Sequence, residues 1–186
     1  PYFNLLIMDK QINIGLDFDN TIAGYDHLFQ QVASLKGWIN DPRSFSKQQV
    51  RDAVRLLESG EERWQTLQAE VYGPRMNDAY LTDGFEEVLS RCNQLGADLC
   101  VISHKTQYAK FGSKDINLRN AALRWMTDQG LITTKGPGLH PEAIYFAETR
   151  KEKITIISDH KCSHFVDDLI EVLMDSDFPK QTRPIH

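Results

Sequence analysis

Apolar positions along this chain fall into two rhythms. Short, mostly apolar runs predict buried strands at Ile12 to Leu16, Leu99 to Ile102, Ala143 to Phe146 and His164 to Val166, and Thr182 to His186 is a last candidate strand. Between them apolar residues recur at helical spacing. Phe85, Val88, Leu89, Cys92 and Leu95 mark one helix, with Thr82 or Asp83 as its cap and Gly96 as its stop. Ile116, Leu118, Ala122, Leu123, Trp125 and Met126 mark the next, closed by Gly130, and Lys151 to Ser158 and Leu169 to Met174 mark two more. Strand and helix in alternation predict an α/β fold, a parallel sheet of about five strands with helices on both faces.

Residues 25–81 break that rhythm, and no strand is expected in them. Leu28, Phe29, Val32 and Leu35 suggest one amphipathic helix, Val50, Val54 and Leu57 a second, and Trp64, Leu67 and Val71 a third. Asp41-Pro42 and Gly73-Pro74 punctuate the segment. The expected organisation is therefore a core of residues 1–24 and 82–186 with a small helical insert, 25–81, after the first strand. Ligands bind at the carboxyl ends of strands in open α/β sheets, so the insert should overhang the site.

Composition narrows the function classes. The chain has 186 residues, 41% of them apolar and 25% charged, as in globular proteins. A net charge of −5 argues against a nucleic-acid binder, which would carry a basic face. No apolar run approaches the roughly 20 residues that span a bilayer, so no membrane partner is expected. The start, Pro1-Tyr2-Phe3-Asn4, carries no signal-like pattern. Cys92, Cys100 and Cys162 form no metal-like pair. A cytoplasmic protein with reduced thiols is the expectation.

The chemistry gathers at two strand ends. Asp17-Phe18-Asp19-Asn20-Thr21 follows the first strand, and Phe165-Val166-Asp167-Asp168 ends another, with Glu171 four residues beyond Asp167. Either of the later acids could simply cap a helix. Two carboxylates about 4 Å apart repel by about 4 kcal/mol at an effective dielectric near 20, so a cluster of them calls for a cation or a shared proton. Oxygen ligands without a histidine pair point to Mg2+ rather than zinc. Ser103, with His104 and Lys105 after it, ends the second strand, and Lys153 opens a later helix.

In this order the residues resemble the four motifs of the haloacid dehalogenase superfamily. The resemblance runs from residue 12 to about 174. The first motif is full, with Asp17, Asp19 and Thr21, while Ser103 and Lys153 supply the short second and third. The fourth departs from the commoner Gly-Asp pattern, having Val166 before Asp167 and Asp168 after it. The resemblance implies a phosphatase with Asp17 as nucleophile and Asp19 as general acid and base. It implies Ser103 and Lys153 as phosphoryl ligands, and a metal held by Asp17, the Asp19 carbonyl and Asp167. Asp168 and Glu171 both remain as metal support, and Lys151 as the fallback for Lys153. An acid at Asp19 separates phosphatases and phosphomutases from dehalogenases, because a phosphate ester needs its leaving group protonated and a halide does not. The expected partner is a small phosphorylated metabolite or nucleotide. Thr21, His104 and Lys105 are candidate substrate residues, and in the insert, read as a cap, so are Tyr25, Asp26, His27, Arg43 and Arg75. A receiver module also combines acids, a hydroxyl and a lysine, but its phosphorylated Asp follows the third strand, which here ends at Phe146-Ala147-Glu148.

Overall fold

A computed structural model describes residues 11–40, 45–112, 114–135 and 138–186. Its centre is a five-stranded parallel sheet built from β1 (Asn13–Leu16), β4 (Asp98–His104), β5 (Ile144–Ala147), β6 (His164–Val166) and β7 (Arg183–Ile185), in the order β5-β4-β1-β6-β7. Parallel neighbours require crossovers, supplied by helices α4 (Phe85–Gln94), α5 (Leu118–Asp128), α6 (Arg150–Asp159) and the short α7 (Ile170–Leu173). Side chains alternate across each strand, and the two faces carry separate cores. Val101 packs with Phe85, Ala122, Trp125 and Met126 from α4 and α5. Its neighbour Ile102 packs with Ile157 of α6, Leu173 of α7 and Phe165. Helices thus cover both faces, as the alternating pattern predicts. Among the described residues, no helix is long and apolar enough to cross a membrane.

Three further helices, α1 (Asp26–Leu35), α2 (Lys47–Arg55) and α3 (Gly60–Tyr72), lie between β1 and α4. Ser46 starts α2 through a reciprocal cap, its hydroxyl accepting from the Gln49 amide while the Gln49 side chain accepts from the Ser46 amide. The segment is not free of strands. β2 (Ala23–Gly24) pairs antiparallel with β3 (Tyr80–Leu81), bringing the two ends of the helical insert together. Two-residue strands leave no periodicity to read, which is why they escape a pattern search. The apolar residues of the insert, among them Phe29, Trp64 and Leu67, belong to the same continuous core as the α4–α5 face of the sheet. Trp125 of α5 ties the two, donating its indole N–H to the Ala79 carbonyl at 3.2 Å and meeting the Phe18 ring edge-on.

Some local expectations fail for identifiable reasons. α4 starts from Gly84 in a left-handed conformation (φ 79°), not from a Thr82 or Asp83 side chain. Leu35, Val88 and Leu95 sit at helical spacing yet are exposed, because no second layer of the described chain covers them.

Gly15 marks the tightest point of the sheet. A Cβ there would meet the Phe165 ring at 2.6 Å and the Cys162 sulfur at 2.9 Å. Gly15→Ala should therefore destabilise by about 1–3 kcal/mol, the usual cost of overpacking. Urea unfolding checks this, and adding Phe165→Leu should recover part of the loss.

Candidate active site

The carboxyl ends of β1, β4 and β6 meet because these three strands are adjacent and parallel. Asp17 leaves β1 with its amide still donating to the Val166 carbonyl at 2.9 Å. Phe18, fully buried, pins the next residue into the core, so Asp17 and Asp19 emerge toward the site. Asn20 then turns the chain with φ 63°, a left-handed conformation that Asn tolerates. Asp167 ends β6, and its Oδ1 accepts from the Leu169 amide at 3.0 Å. The Asp167 side chain thus does both jobs open to it in the sequence, steadying the turn into the next helix and facing the cluster.

Lys153 joins these ends. The Thr149 hydroxyl caps α6, which sets Lys153 in the first turn, and its side chain runs inward to 1% exposure. Its ammonium donates to Asp17 Oδ1 at 2.5 Å and to Asp167 Oδ2 at 2.7 Å. Asp17 is still destabilised as an anion. Burial raises its carboxyl, Lys153 pulls it down, Asp167 and Asp19 push it up again, and the balance stands at about 7. Burial disfavours the Lys153 ammonium, but the two carboxylates outweigh it and hold its pKa above the usual value.

Asp19 has a different partner. Lys105, 3% exposed, donates to both Asp19 oxygens at 3.0 and 2.9 Å. Burial raises the Asp19 carboxyl, but Lys105 and then Lys47 outweigh it and hold it below its usual value. Ser103 ends up 1% exposed, and among the described residues its buried hydroxyl has no hydrogen-bond partner. Such an orphan is costly unless something else supplies an oxygen or a donor. Asp17, Asp19, Ser103, Lys105, Lys153 and Asp168 all border one cavity of about 430 Å³.

Three acids suit a hard cation. Asp17, Asp167 and Asp168 each present an oxygen within 4.8 Å of the other two. An all-oxygen donor set of this kind fits magnesium. Glu171 instead is exposed and lies 3.9 Å from Arg150, and Lys151 is exposed, so the structure brings Asp168 and Lys153 to the cluster in their place. His104 borders the cavity, with its Nε2 3.0 Å from the Glu148 carbonyl oxygen. Thr21 does not; it borders a separate hollow of about 880 Å³ between α4 and β1–β6, lined by Leu16, Phe85, Val88 and Val166 and holding none of the acid cluster.

The insert supplies the opposite wall, through residues that the sequence pattern had not singled out: Lys47 on α2 and Gln65, Gln68 and Tyr72 on α3. The Lys47 ammonium lies 5.6 Å from the Tyr72 ring centre and that of Lys105 4.2 Å. Of the insert residues expected near substrate, Tyr25 is buried with its hydroxyl on the Met76 sulfur, and His27 and Arg75 bond to Asp78. Neither these nor Asp26 lines the cavity, and Arg43 lies outside the described residues.

No family model and no curated protein matches the chain. Solved structures do. A HAD-superfamily hydrolase of subfamily IA, variant 1, from Geobacter sulfurreducens is 12% identical with a TM-score of 0.54, covering 95% of this chain and 92% of that one. A HAD family hydrolase from Deinococcus radiodurans, with bound phosphate and sodium, is 12% identical with a TM-score of 0.54, covering 94% of this chain and 79% of that one. A hydrolase from Streptococcus pneumoniae is 11% identical with a TM-score of 0.52, covering 95% and 92%. The chain therefore has the fold of the haloacid dehalogenase superfamily hydrolases.

Lys153→Met should cost about 3–5 kcal/mol, the usual penalty for stripping one partner from a buried ion pair. Lys151→Met, at an exposed position, should stay within about 0.5 kcal/mol. The Lys153→Met loss should also depend on pH. With the folded-state Asp17 carboxyl at about 7 against 3.8 unfolded, the folded chain holds the extra proton between those values, so that group's stability contribution is lost as pH rises through 7. Removing Lys153 raises it further, and urea unfolding without metal should show a larger loss at pH 8 than at pH 5.

Proposed function

We propose that this protein is a magnesium-dependent phosphohydrolase that cleaves small phosphate monoesters through an aspartyl-phosphate on Asp17. The observation that carries this reading is the buried Lys153 ammonium bridging Asp17 and Asp167 beside the unpartnered Ser103 hydroxyl. The fold supports it, since a protein of the same fold was solved with phosphate and sodium bound. The net charge of −5 and the three free cysteines suit a cytoplasmic enzyme of small metabolites better than a nucleic-acid binder.

The residues divide the work as follows. The Asp17 carboxylate attacks phosphorus, forming one P–O bond while the bond to the leaving oxygen breaks. Asp19 gives that oxygen a proton, then takes one from the water that hydrolyses the intermediate. Its pairing with Lys105 favours the carboxylate, the form that accepts the proton from water. The Ser103 hydroxyl and Lys153 ammonium donate to the phosphoryl oxygens, where charge develops. Asp17, Asp167, Asp168 and the Asp19 carbonyl would hold Mg2+, which supplies the positive charge that keeps Asp17 ionised and offsets the phosphate dianion. Residues 25–81 act as a cap that closes the cavity with Lys47, Gln68 and Tyr72.

Hydrolysis of an aryl phosphate should need a divalent metal, disappear with chelator and return best with magnesium; full turnover without metal contradicts the reading. Asp17→Asn should abolish the phosphoenzyme. Asp19→Asn should lower turnover by about a hundred- to ten-thousand-fold. With an activated leaving group, its phosphoenzyme should accumulate as a base-labile mass increase on Asp17. Indistinguishable kinetics for the two variants, or a label on Ser103, would overturn the assigned roles.

A further inference from the structure

The cavity is larger than a phosphoryl group needs, and the part not used by phosphate has its own chemistry. We propose that it selects an uncharged, hydroxyl-rich leaving group, as in a sugar or polyol phosphate, through Gln65 and Gln68. This deepens the phosphohydrolase reading and rests on it.

Three cations of the cavity, Lys153, Lys105 and Lys47, are already engaged. Lys153 is held by two carboxylates and Lys105 by both oxygens of Asp19. Lys47 lies against the Phe29 and Tyr72 rings, where Tyr72, Asp19 and Asp168 raise its pKa against the effect of burial. The floor holds four carboxylates, Asp17, Asp19, Asp167 and Asp168, against these three ammonium groups. One divalent cation and one phosphate dianion leave no surplus positive charge for a second anion. At the mouth, Glu61 adds a carboxylate paired with Arg55 at 2.8 Å. Lys110 is the remaining cation on the wall, and it is exposed on the loop after β4.

Between these charges the insert side of the cavity also presents neutral hydrogen-bonding groups. Gln65 and Gln68 stand three residues apart on α3, the spacing that puts two side chains on one helix face about 5–6 Å apart. Gln65 donates to Glu61 at 3.0 Å, which orients its amide, and among the described residues Gln68 has no hydrogen-bond partner. An amide both donates and accepts, as a hydroxyl does, so two amides match neighbouring hydroxyls of a polyol. Tyr108, 51% exposed, adds aromatic surface for the carbon face of such a ring. Nucleoside polyphosphates and bisphosphates bring a second anionic group, which only the exposed Lys110 is left to meet.

The test compares kcat/KM, with magnesium, for p-nitrophenyl phosphate, glycerol phosphate, pentose and hexose monophosphates, a sugar bisphosphate and a nucleoside monophosphate. The expected order puts a sugar or polyol monophosphate first, with the bisphosphate at least about tenfold below its monophosphate. Gln68→Leu should lower the preference for the sugar phosphate over p-nitrophenyl phosphate by about fivefold or more, the worth of one hydrogen bond. Gln65→Leu should do the same, and keeps the test open if Gln68→Leu does not fold. A preference for the bisphosphate or the nucleotide, or an equal loss for both substrates in both variants, overturns the proposal. Failure to hydrolyse any ester, p-nitrophenyl phosphate included, instead overturns the phosphohydrolase reading on which it rests.

Discussion

The structure turns on a single buried ammonium. Asp17 and Asp167 end neighbouring strands of a parallel sheet, at 4% and 1% exposure. Two carboxylates so placed would each face both desolvation and the other's charge, a combination that drives protonation. Lys153 bridges them, but only partly, since burial still holds the Asp17 carboxyl near 7. The incomplete neutralisation is informative. A cluster left with residual negative charge stabilises a cation placed beside it.

That constraint fixes the topology around it. The lysine must approach from a helix whose first turn lies over the ends of β1 and β6, and the β5–α6–β6 crossover does this by returning across β4 and β1. The same adjacency places Ser103 on β4 at the other side of Asp17. Gly15, two residues before Asp17, lets Phe165 and Cys162 close against the strand that carries the nucleophile. Packing beneath the site and chemistry above it are therefore coupled through a strand of four residues.

Much of this was legible before any coordinates. Four of the five strands and the core helices follow from apolar runs and helical spacing, because burial between two helix layers leaves little choice of residue, whereas β7 is exposed along its length. The acid pairs were legible because they stop such runs abruptly. Local sequence could not separate Lys153 from Lys151, or Asp168 from Glu171, since each choice depends on which face of a helix turns inward. β2 and β3 are too short to carry a period. Lys47 carries no local mark except its place after the Ser46 cap. Gln65, Gln68 and Tyr72 were within reach: each stands one residue beyond an apolar member of α3, Trp64, Leu67 and Val71, and so forms a second stripe beside the first. Thr21 shows the converse error, since membership of a motif in sequence did not place its side chain at the cavity.

The two lysines of the cavity act on different aspartates with opposite results. Lys153 shares itself between two carboxylates and leaves Asp17 with a raised pKa. Lys105 gives two hydrogen bonds to one carboxylate, and Asp19 is lowered although it is also buried. Two acids separated by one residue are thereby driven apart in proton affinity, Asp17 raised chiefly by burial and Asp19 lowered by Lys105 and Lys47 against the effect of burial. Environments that push paired titratable groups apart are how one site assigns distinct roles to the same side chain. Lys105 also lies against Tyr72, at the end of α3, while its carbonyl accepts from Arg119 of α5. The residue that sets the charge of Asp19 is thus held between the insert and the core. Through it the insert, by way of Tyr72, is in contact with the partner of Asp19.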